Sequence, residues 1–534
     1  MKLRHLLAAL ALLAAPAEAQ TVRTQAGVVR GVTADGVTVF KAIPFAAPPV
    51  GALRWRAPAP PVGWKGVRAE TKFAPLCPQP AGSNAMLGLP YWPQSEDCLY
   101  LNVWAPAGAP VGARGAAVMV WIHGGSFTSG GTAIPAYDGA ALARKGVVVV
   151  SVAYRLGALG FLTTRELTAE NGGHGSGDYG LEDQIAALKW VKRNIGRFGG
   201  DPARVTVFGE SAGAMSVSLL TASPMARGLF ARAIAESGAE MAPLDRGEHA
   251  GGAMTPTQGV GEARGAAFMK ALGASTLAEA RAAPVAAVLK VKGDFGPVAD
   301  GRAVVGDPWA LYERGRYNAT PILIGTNADE GALFIPSAKP AEYEAKVRAA
   351  YGPWADKILA AYPAPDAAVA LRSARDLFRD AVFAWPTWAW ARLAAKDGRA
   401  PVYLYRFEHA PPWPALPLFS GWGAVHGSEI GYVFGTLGAG SFIQWRAEDR
   451  ALSATMSDYW VNFAKTGNPN GPGLPRWPAF TDAAPVEMRL DVKSAPGPVA
   501  NVARPKVLDG YFAWRRGEEK GRQEKRSTDD ADGH

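Results

Sequence analysis

The feature that most constrains the fold is an apolar run that leads directly into Gly-Glu-Ser-Ala-Gly. β-Branched and aromatic side chains occupy residues 205–208, the pentapeptide spans 209–213, and small, helix-tolerant residues follow. This order predicts a strand, a sharp turn with Ser211 at its tip, and a helix. Gly209 and Gly213 flank the serine because so tight a turn leaves no room for a Cβ on either side. The turn would place the Ser211 hydroxyl beyond the end of a sheet strand and near the positive end of a helix dipole.

Segments typical of strands alternate with segments typical of helices along much of the chain. Residues 181–194 carry apolar side chains at helical spacing, and residues 260–290 are rich in alanine. Apolar runs that are typical of buried strands lie at 118–122, 147–152, 233–235, 321–325 and 402–407. This alternation predicts an α/β fold with helices on both faces of a mostly parallel central sheet. Residues 21–45 alternate apolar and polar side chains around turns, which predicts an N-terminal antiparallel meander.

The N-terminus has the pattern of a secretory signal. Lys2 and Arg4 precede an apolar run at 6–15, and Ala17-Glu18-Ala19 is a small-x-small cleavage site before Gln20. The run is too short to span a bilayer, and the sequence offers no other apolar stretch long enough for an integral membrane segment. We therefore predict export to the periplasm or the medium.

These patterns divide the chain into three parts. Residues 1–19 are the predicted signal peptide, and residues 20–516 are predicted to form a single large domain. Residues 517–534 are charged and almost without apolar side chains, so a disordered tail is predicted there.

The chain contains two cysteines, Cys77 and Cys98. A single pair in an oxidising compartment predicts a disulfide. Its closed loop, from a separation of 98 − 77 = 21 residues, would stabilise the fold by about 3 kcal/mol in the chain-entropy model. Two cysteines this far apart, with no histidine nearby, do not indicate a metal site, and no cofactor is expected.

The formal net charge is +9, and it falls to +8 when Lys2, Arg4 and Glu18 leave with the signal. The basic residues are scattered among acidic ones and form no stripe. This distribution favours a solvated basic surface over a nucleic-acid site. The sequence does not indicate an oligomeric state.

Acyl transfer at a serine needs donors for the oxyanion, a base for the hydroxyl proton and an acid that orients the base. Gly124 and Gly125 follow the predicted strand at 118–122, and glycines let backbone N–H groups come close to a substrate. Together with the N–H of Ala212 they predict a three-donor oxyanion hole, although the same pattern also suits a plain glycine turn.

Among the seven histidines, two compete for the role of base. His409 lies nearer the end of the 402–407 strand, but His426 is favoured because the order Ser, acid, His then holds. The acid is Glu330 or its neighbour Asp329, and adjacent side chains cannot both point at one histidine. The residues alone leave that choice open.

Several further motifs make a family resemblance plain. They lie at 40–55, 96–103, 123–127, 180–184, 198–202, 209–213, 329–331 and 423–429. Together they resemble the type-B carboxylesterases, the cholinesterase-like branch of the α/β-hydrolase fold, over nearly the whole mature chain. The resemblance implies one large domain and the Cys77–Cys98 disulfide.

The resemblance also implies roles for the site residues. Glu330 rather than Asp329 would be the acid, His426 the base and Ser211 the nucleophile of an acyl-enzyme mechanism on small-molecule esters. Ser237 resembles a serine of the family that supports the acid, and Glu210, beside the nucleophile, is expected to support the triad from behind.

Three other functions remain open at this point. A lipase or a polycarboxylate-ester hydrolase would share the fold and the triad. A non-catalytic binding protein of the same fold is less favoured because every candidate triad member is present.

Overall fold

The computed structural model describes residues 18–83, 92–109, 115–248, 250–252, 255–439, 443–500, 504 and 506–517. Most of the predicted signal peptide, residues 1–17, and the tail at 518–534 lie outside these described residues. A helical segment covers residues 506–517. Among the described helices, none is both long and apolar enough to cross a membrane.

A single sheet runs through the molecule and contains 13 strands within the described residues. The strands are β1 (Glu18–Arg23), β2 (Val28–Ala34), β3 (Val37–Pro44), β4 (Val67–Arg68), β5 (Tyr100–Pro106), β6 (Ala116–Ile122), β7 (Val148–Val152), β8 (Gly200–Glu210), β9 (Arg232–Glu236), β10 (Ile322–Asn327), β11 (Val402–Phe407), β12 (Val486–Leu490) and β13 (Ala495–Pro498). Their spatial order is β1-β2-β3-β5-β7-β6-β8-β9-β10-β11-β12-β13, and β4 pairs with β2.

The sheet is parallel at its centre and antiparallel at both ends. Strands β7, β6, β8, β9, β10, β11 and β12 pair parallel in that order. The pairs β1-β2, β2-β3, β3-β5 and β5-β7 are antiparallel, as is β12-β13. The predicted parallel sheet and N-terminal meander are therefore confirmed.

Helices cover both faces of this sheet. They are α1 (Ala140–Arg144), α2 (Gly157–Phe161), α3 (Arg165–Glu170), α4 (Tyr179–Asn194), α5 (Ala212–Ala222), α6 (Gln258–Leu272), α7 (Leu277–Ala282), α8 (Val285–Lys290), α9 (Pro308–Glu313), α10 (Gly331–Phe334), α11 (Pro340–Tyr351), α12 (Ala355–Ala361), α13 (Ala367–Arg379), α14 (Trp385–Asp397), α15 (Ile430–Phe434) and α16 (Ala447–Thr466). A π-helical turn, Asp380–Ala384, joins α13 to α14. Short 3-10 turns lie at Gly51–Leu53, Pro135–Tyr137, Ile195–Phe198, Pro224–Ala226, Gly352–Trp354 and Pro417–Phe419.

Strand β6 shows why the central strands have continuous apolar runs and do not alternate apolar with polar residues. Val118 and Val120 pack into the core on the α4 and α5 side, whereas Met119 and Trp121 pack into the core on the α16 side. Successive side chains of a strand point to opposite faces, and both faces are covered here. A continuous apolar run is the result.

The alanine-rich stretch at 260–290 is helical and is divided among α6, α7 and α8, with Pro284 directly before the last of them. Proline disfavours a helical conformation in the residue before it. Strands β12 and β13 were not predicted, and two of the four residues of β13 are prolines, which occur mainly in edge strands.

The predicted disulfide between Cys77 and Cys98 is present. Within the loop it closes, the buried Gln79 side chain donates to Gly130 O (2.9 Å) and accepts from Gly130 N–H (2.9 Å). An added Cβ on Gly130 would lie 2.3 Å from Nδ1 of His123. The disulfide loop therefore packs against the turn that follows β6. Residues 84–91 of the loop lie outside the described residues.

A pair of buried carboxyls lies at the start of α4. Asp178 and Asp300 are 2% and 6% exposed. Burial, and then the charge of Asp300, raises the pKa of Asp178 well above its ordinary value. Two buried carboxyls this near to each other resist being ionised together.

Candidate active site

The turn between β8 and α5 holds Ser211 in a left-handed conformation with φ of 56°. Its N–H donates to Glu236 O (2.9 Å) at the end of the neighbouring strand β9. A Cβ added to Gly209 or Gly213 would lie 2.6 or 2.0 Å from the carbonyl oxygen of Ile122. Both glycines are therefore required because β6 passes too close for a side chain, which is the reason the sequence pattern suggested.

The loop after β6 presents a row of free backbone donors beside the serine. The N–H groups of Gly124, Gly125, Ser126 and Ala212 form no hydrogen bond with any described residue. An added Cβ on Gly124 would lie 3.0 Å from Cβ of Ser211, so the loop touches the nucleophile turn.

Ser126 adds a donor that the sequence reading missed. Its φ of 53° is left-handed, a conformation that a non-glycine residue adopts only under local constraint. The sequence did not indicate this donor, because serine, unlike glycine, is not a residue associated with a left-handed conformation.

His123 shapes this loop as a neutral side chain. Its Nδ1 bonds to Gly124 O (2.8 Å), and its ring stacks on Tyr154 with centroids 4.5 Å apart. Tyr154 in turn donates its hydroxyl to His123 O (2.8 Å). Burial lowers the pKa of His123 to about 4, so it stays uncharged at neutral pH.

The structure brings His426 and Glu330 together. Nδ1 of His426 lies 2.6 Å from Oε2 of Glu330, and Oε1 of Glu330 accepts the backbone N–H of Asn327 (2.7 Å). Glu330 is fully buried just beyond β10. The rings of Phe334 and Phe383 pack on the histidine, with centroids 5.0 and 4.6 Å from its own. Both the carboxylate and the imidazole are thus held in fixed orientations.

The rival acid and the rival base lie in other networks. Oδ2 of Asp329 accepts the N–H of Ala424 (2.9 Å) and so holds the loop before His426. His409 lies between Asp491 and Asp449, at 2.8 and 2.7 Å, away from the serine turn.

The second ring nitrogen of His426 faces Glu210. Nε2 lies 3.2 Å from Oε1 of Glu210. Among the described residues, no hydrogen bond joins the Ser211 hydroxyl to His426 in this conformation. Catalytic hydrogen bonds are often long without substrate and tighten when it binds.

Two further buried glutamates lie behind Glu210. Glu236 accepts from the Trp460 indole (2.8 Å), and Glu429 bonds to the Asn327 side chain. Burial raises the pKa of Glu210 to about 7, that of Glu236 to about 8, and that of Glu429 well above its ordinary value. Charge repulsion adds to this: Glu330 raises the pKa of Glu210, and Glu210 raises the pKa of both Glu236 and Glu429.

Ser237 lies beside this cluster at the end of β9 and also has a φ of 56°. Its N–H donates to Gly325 O (2.8 Å). Its buried hydroxyl makes no hydrogen bond with a described residue, so no direct bond to Glu330 is formed here.

The electrostatics of His426 follow from its two carboxylate neighbours. Burial by itself lowers the pKa of an imidazole, but Glu210 and Glu330 outweigh it and leave the pKa of His426 above its ordinary value. The ring is therefore readily protonated, as a base that accepts a serine proton must be.

Two cavities share a wall at Ala250 and Gly252 next to these residues. One, of about 340 Å³, is largely apolar and includes Phe334, whose ring contacts His426. The other, of about 300 Å³, is polar and includes Phe127 of the loop after β6. Within the described part of the chain, no group of three or more histidine, cysteine or acidic side chains is arranged to hold a metal ion.

Comparisons with known proteins show the family of this chain. The model of the carboxylesterase family matches residues 18–504. A fumonisin B1 esterase from Sphingopyxis macrogoltabida is 41% identical over 477 residues, 86% of this chain and 84% of that protein. A para-nitrobenzyl esterase from Bacillus subtilis (strain 168) is 38% identical over 499 residues, 88% of this chain and 95% of that protein. A solved PNB esterase structure superposes with a TM-score of 0.79 at 36% identity, covering 92% of this chain and 99% of that one.

Proposed function

Since this chain belongs to the carboxylesterase family and is a carboxylic-ester hydrolase, we propose that it works through Ser211, His426 and Glu330 and a covalent acyl-enzyme. The proposal rests on the 2.6 Å contact between His426 and Glu330 beside the strained Ser211 turn. Acyl transfer needs a nucleophile, a base and an acid that orients the base.

Proton transfer follows from the contact between the imidazole and the acid. Because Nδ1 of His426 donates to Glu330, Nε2 carries the lone pair that accepts the Ser211 proton during attack on the ester carbonyl. The imidazolium then gives this proton to the leaving alcohol. Water repeats the sequence on the acyl-enzyme and releases the acid. Glu210, 3.2 Å from Nε2, stabilises the imidazolium in both steps.

The tetrahedral oxyanion is stabilised by free backbone donors. Gly124, Gly125 and Ala212 are the donors that the sequence suggests, and we add Ser126 because its N–H is equally unpaired. Ala212 is the first residue of α5, so the helix dipole adds to the field at that point. Ser237 contributes through its backbone, which joins the end of β9 to β10.

A labelling experiment tests the nucleophile. A fluorophosphonate probe should modify Ser211, and Ser211→Ala should remove both the label and about three or more powers of ten of ester hydrolysis. Ser216→Ala, in the same helix, is the matched control and should be labelled like the wild type. Unchanged turnover in Ser211→Ala would exclude the mechanism.

Two wider proposals follow from the sequence. One sheet runs from β1 to β13, which supports a single catalytic domain, and the disulfide is compatible with export. The N-terminal sequence of the exported protein should begin at Gln20. A substrate panel should include para-nitrobenzyl and fumonisin B1 esters, the substrates that the relatives' names give.

A further inference from the structure

The polar cavity of about 300 Å³ is lined by residues from two segments that contact the nucleophile turn. Phe127 lies two residues after Gly125, in the loop after β6. Glu240 lies two residues after Gly238, whose added Cβ would lie 2.5 Å from the carbonyl oxygen of Ser211. A substrate group that extends from a bound ester can therefore reach this cavity.

Glu240 is a buried carboxyl with one unused oxygen. Its backbone N–H donates to the Ser218 hydroxyl of α5 (3.1 Å), and its Oε2 accepts from the Thr255 hydroxyl (2.9 Å). Oε1 accepts no hydrogen bond from any described residue, although the side chain is only 7% exposed and lines the cavity. This oxygen is accessible from the cavity, so a donor group bound there can pair with it.

The other charged groups on the cavity wall do not satisfy this oxygen. Arg264 pairs with both Asp245 and Asp294, each at 3.0 Å. Among the described lining residues, one guanidinium therefore faces three carboxyls, a net charge of −2 when all are ionised. The missing partner of Glu240 is thus a hydrogen-bond donor, and a positively charged donor fits best.

The apolar cavity has the opposite character. Its charged lining residues are Lys339, Lys346 and Glu342, which carry a net charge of +1. The two cavities therefore offer a substrate different surroundings: an apolar one with a positive rim and a polar, negative one. A cationic group is favoured only in the second.

We propose that the polar cavity is a substrate subsite for a protonated amine and that Glu240 is the residue that selects it. This rests on the proposed function, because the ester must be bound at Ser211 for the amine to reach the cavity. The substrate class is then an ester with an ammonium group on its acyl or alcohol side.

Matched substrates test the subsite. The 4-nitrophenyl esters of 6-aminohexanoic and 8-aminooctanoic acid are compared with the heptanoate and nonanoate esters, in which a methyl replaces the ammonium, and hydrolysis without enzyme is subtracted at each pH. Aminoalkyl and alkyl acetates form the same pairs on the alcohol side. The measured quantity is the selectivity ratio, kcat/KM of the amine divided by kcat/KM of its neutral partner.

Glu240→Gln should lower the best selectivity ratio at least about tenfold, since a buried charge loses its partner. Turnover of the neutral partner should stay within about threefold. Glu342→Gln is the matched control, because it removes a carboxylate from the other cavity, and it should leave the ratio unchanged.

The pH dependence provides a second readout on the wild type. Burial raises the pKa of Glu240 to about 7, partly offset by the bond from Thr255. The other charged groups that line this cavity are Asp245, Asp294 and Arg264, which pair with one another. The selectivity ratio should therefore rise from about pH 6 to about pH 8, while the titration of His426 cancels between the two esters.

The outcomes separate the two proposals. A ratio that does not respond to Glu240→Gln or to pH at any chain length overturns the subsite, and so does a preference for carboxylate-bearing esters. Should Glu240→Gln fail to fold, the wild-type pH profile still decides. Hydrolysis of the neutral esters by Ser211→Ala would overturn the proposed mechanism instead.

Discussion

Glu330→Gln is the substitution whose effect the structure determines most fully. The backbone N–H of Asn327 points at Oε1 of Glu330, at 2.7 Å, and can only donate. The carbonyl oxygen of the glutamine must therefore take the Oε1 position. Its NH₂ group then lies where Oε2 was, 2.6 Å from Nδ1 of His426.

This orientation forces the wrong histidine tautomer. An NH₂ group donates, so Nδ1 must become the acceptor and the proton moves to Nε2. Nε2 then has no lone pair for the Ser211 proton, and the charge that stabilised the imidazolium is gone. The expected loss is up to about four powers of ten in kcat, or about 5 kcal/mol of transition-state stabilisation.

Asp329→Asn is the matched control because it changes the neighbouring carboxylate. Asn keeps a carbonyl oxygen for the N–H of Ala424, which Asp329 now binds at 2.9 Å. It should cost about 1 kcal/mol of stability and less than about tenfold in kcat/KM. Both variants are assayed on 4-nitrophenyl acetate, and near-UV circular dichroism checks their folding. A folded Glu330→Gln within tenfold of wild type, or a more severe loss in Asp329→Asn, would refute the reasoning.

Three further predictions concern protonation and stability. Since the pKa of His426 is raised, kcat/KM should fall in acid with a midpoint above the ordinary value of about 6.5. Glu210→Gln should move that midpoint to lower pH. An unchanged midpoint would show that the charge of Glu210 does not affect the pKa of His426. Replacing Cys77 and Cys98 by serine should lower the free energy of unfolding in urea by about 3 kcal/mol, the loop-closure value for a separation of 21 residues; a change below about 0.5 kcal/mol would contradict that account. Asp178 has a raised pKa, so its contribution to stability is lost as pH rises from its unfolded value of about 4 through the folded value. Asp178→Asn should therefore raise Tm more at about pH 8 than at about pH 5, and equal shifts at the two pH values would argue against a raised pKa.

The α/β-hydrolase fold was predictable because its signals are local. Strand β6 is predictable from its continuous apolar residues, which pack on both faces of the sheet. The Ser211 turn is predictable from its two glycines, which are required because β6 passes so close. Both signals lie within a few residues of sequence. The similarity to solved PNB esterase structures confirms this fold, and the disulfide is confirmed as well.

Features that depend on contacts between distant parts of the chain could not be predicted from the sequence. Glu330 and Asp329 differ only in which way each side chain leaves the turn after β10, and residues near 424–426 decide what each one meets. The absence of a bond from the Ser237 hydroxyl to the acid, and the free N–H of Ser126, likewise depend on backbone conformations without a sequence signature.

The buried glutamates behind His426 show most clearly what the sequence cannot predict, because their effect on the histidine depends on their charge states. Glu236 and Glu429 have pKa values raised by burial and by the charge of Glu210, so at neutral pH they are largely protonated. Glu330 instead accepts hydrogen bonds on both oxygens, from the backbone N–H of Asn327 and from Nδ1 of His426. The charges that raise the pKa of His426 are those of Glu210 and Glu330. The sequence shows several glutamates, but only the geometry distinguishes Glu330, which orients the base, from Glu210, which faces its second ring nitrogen.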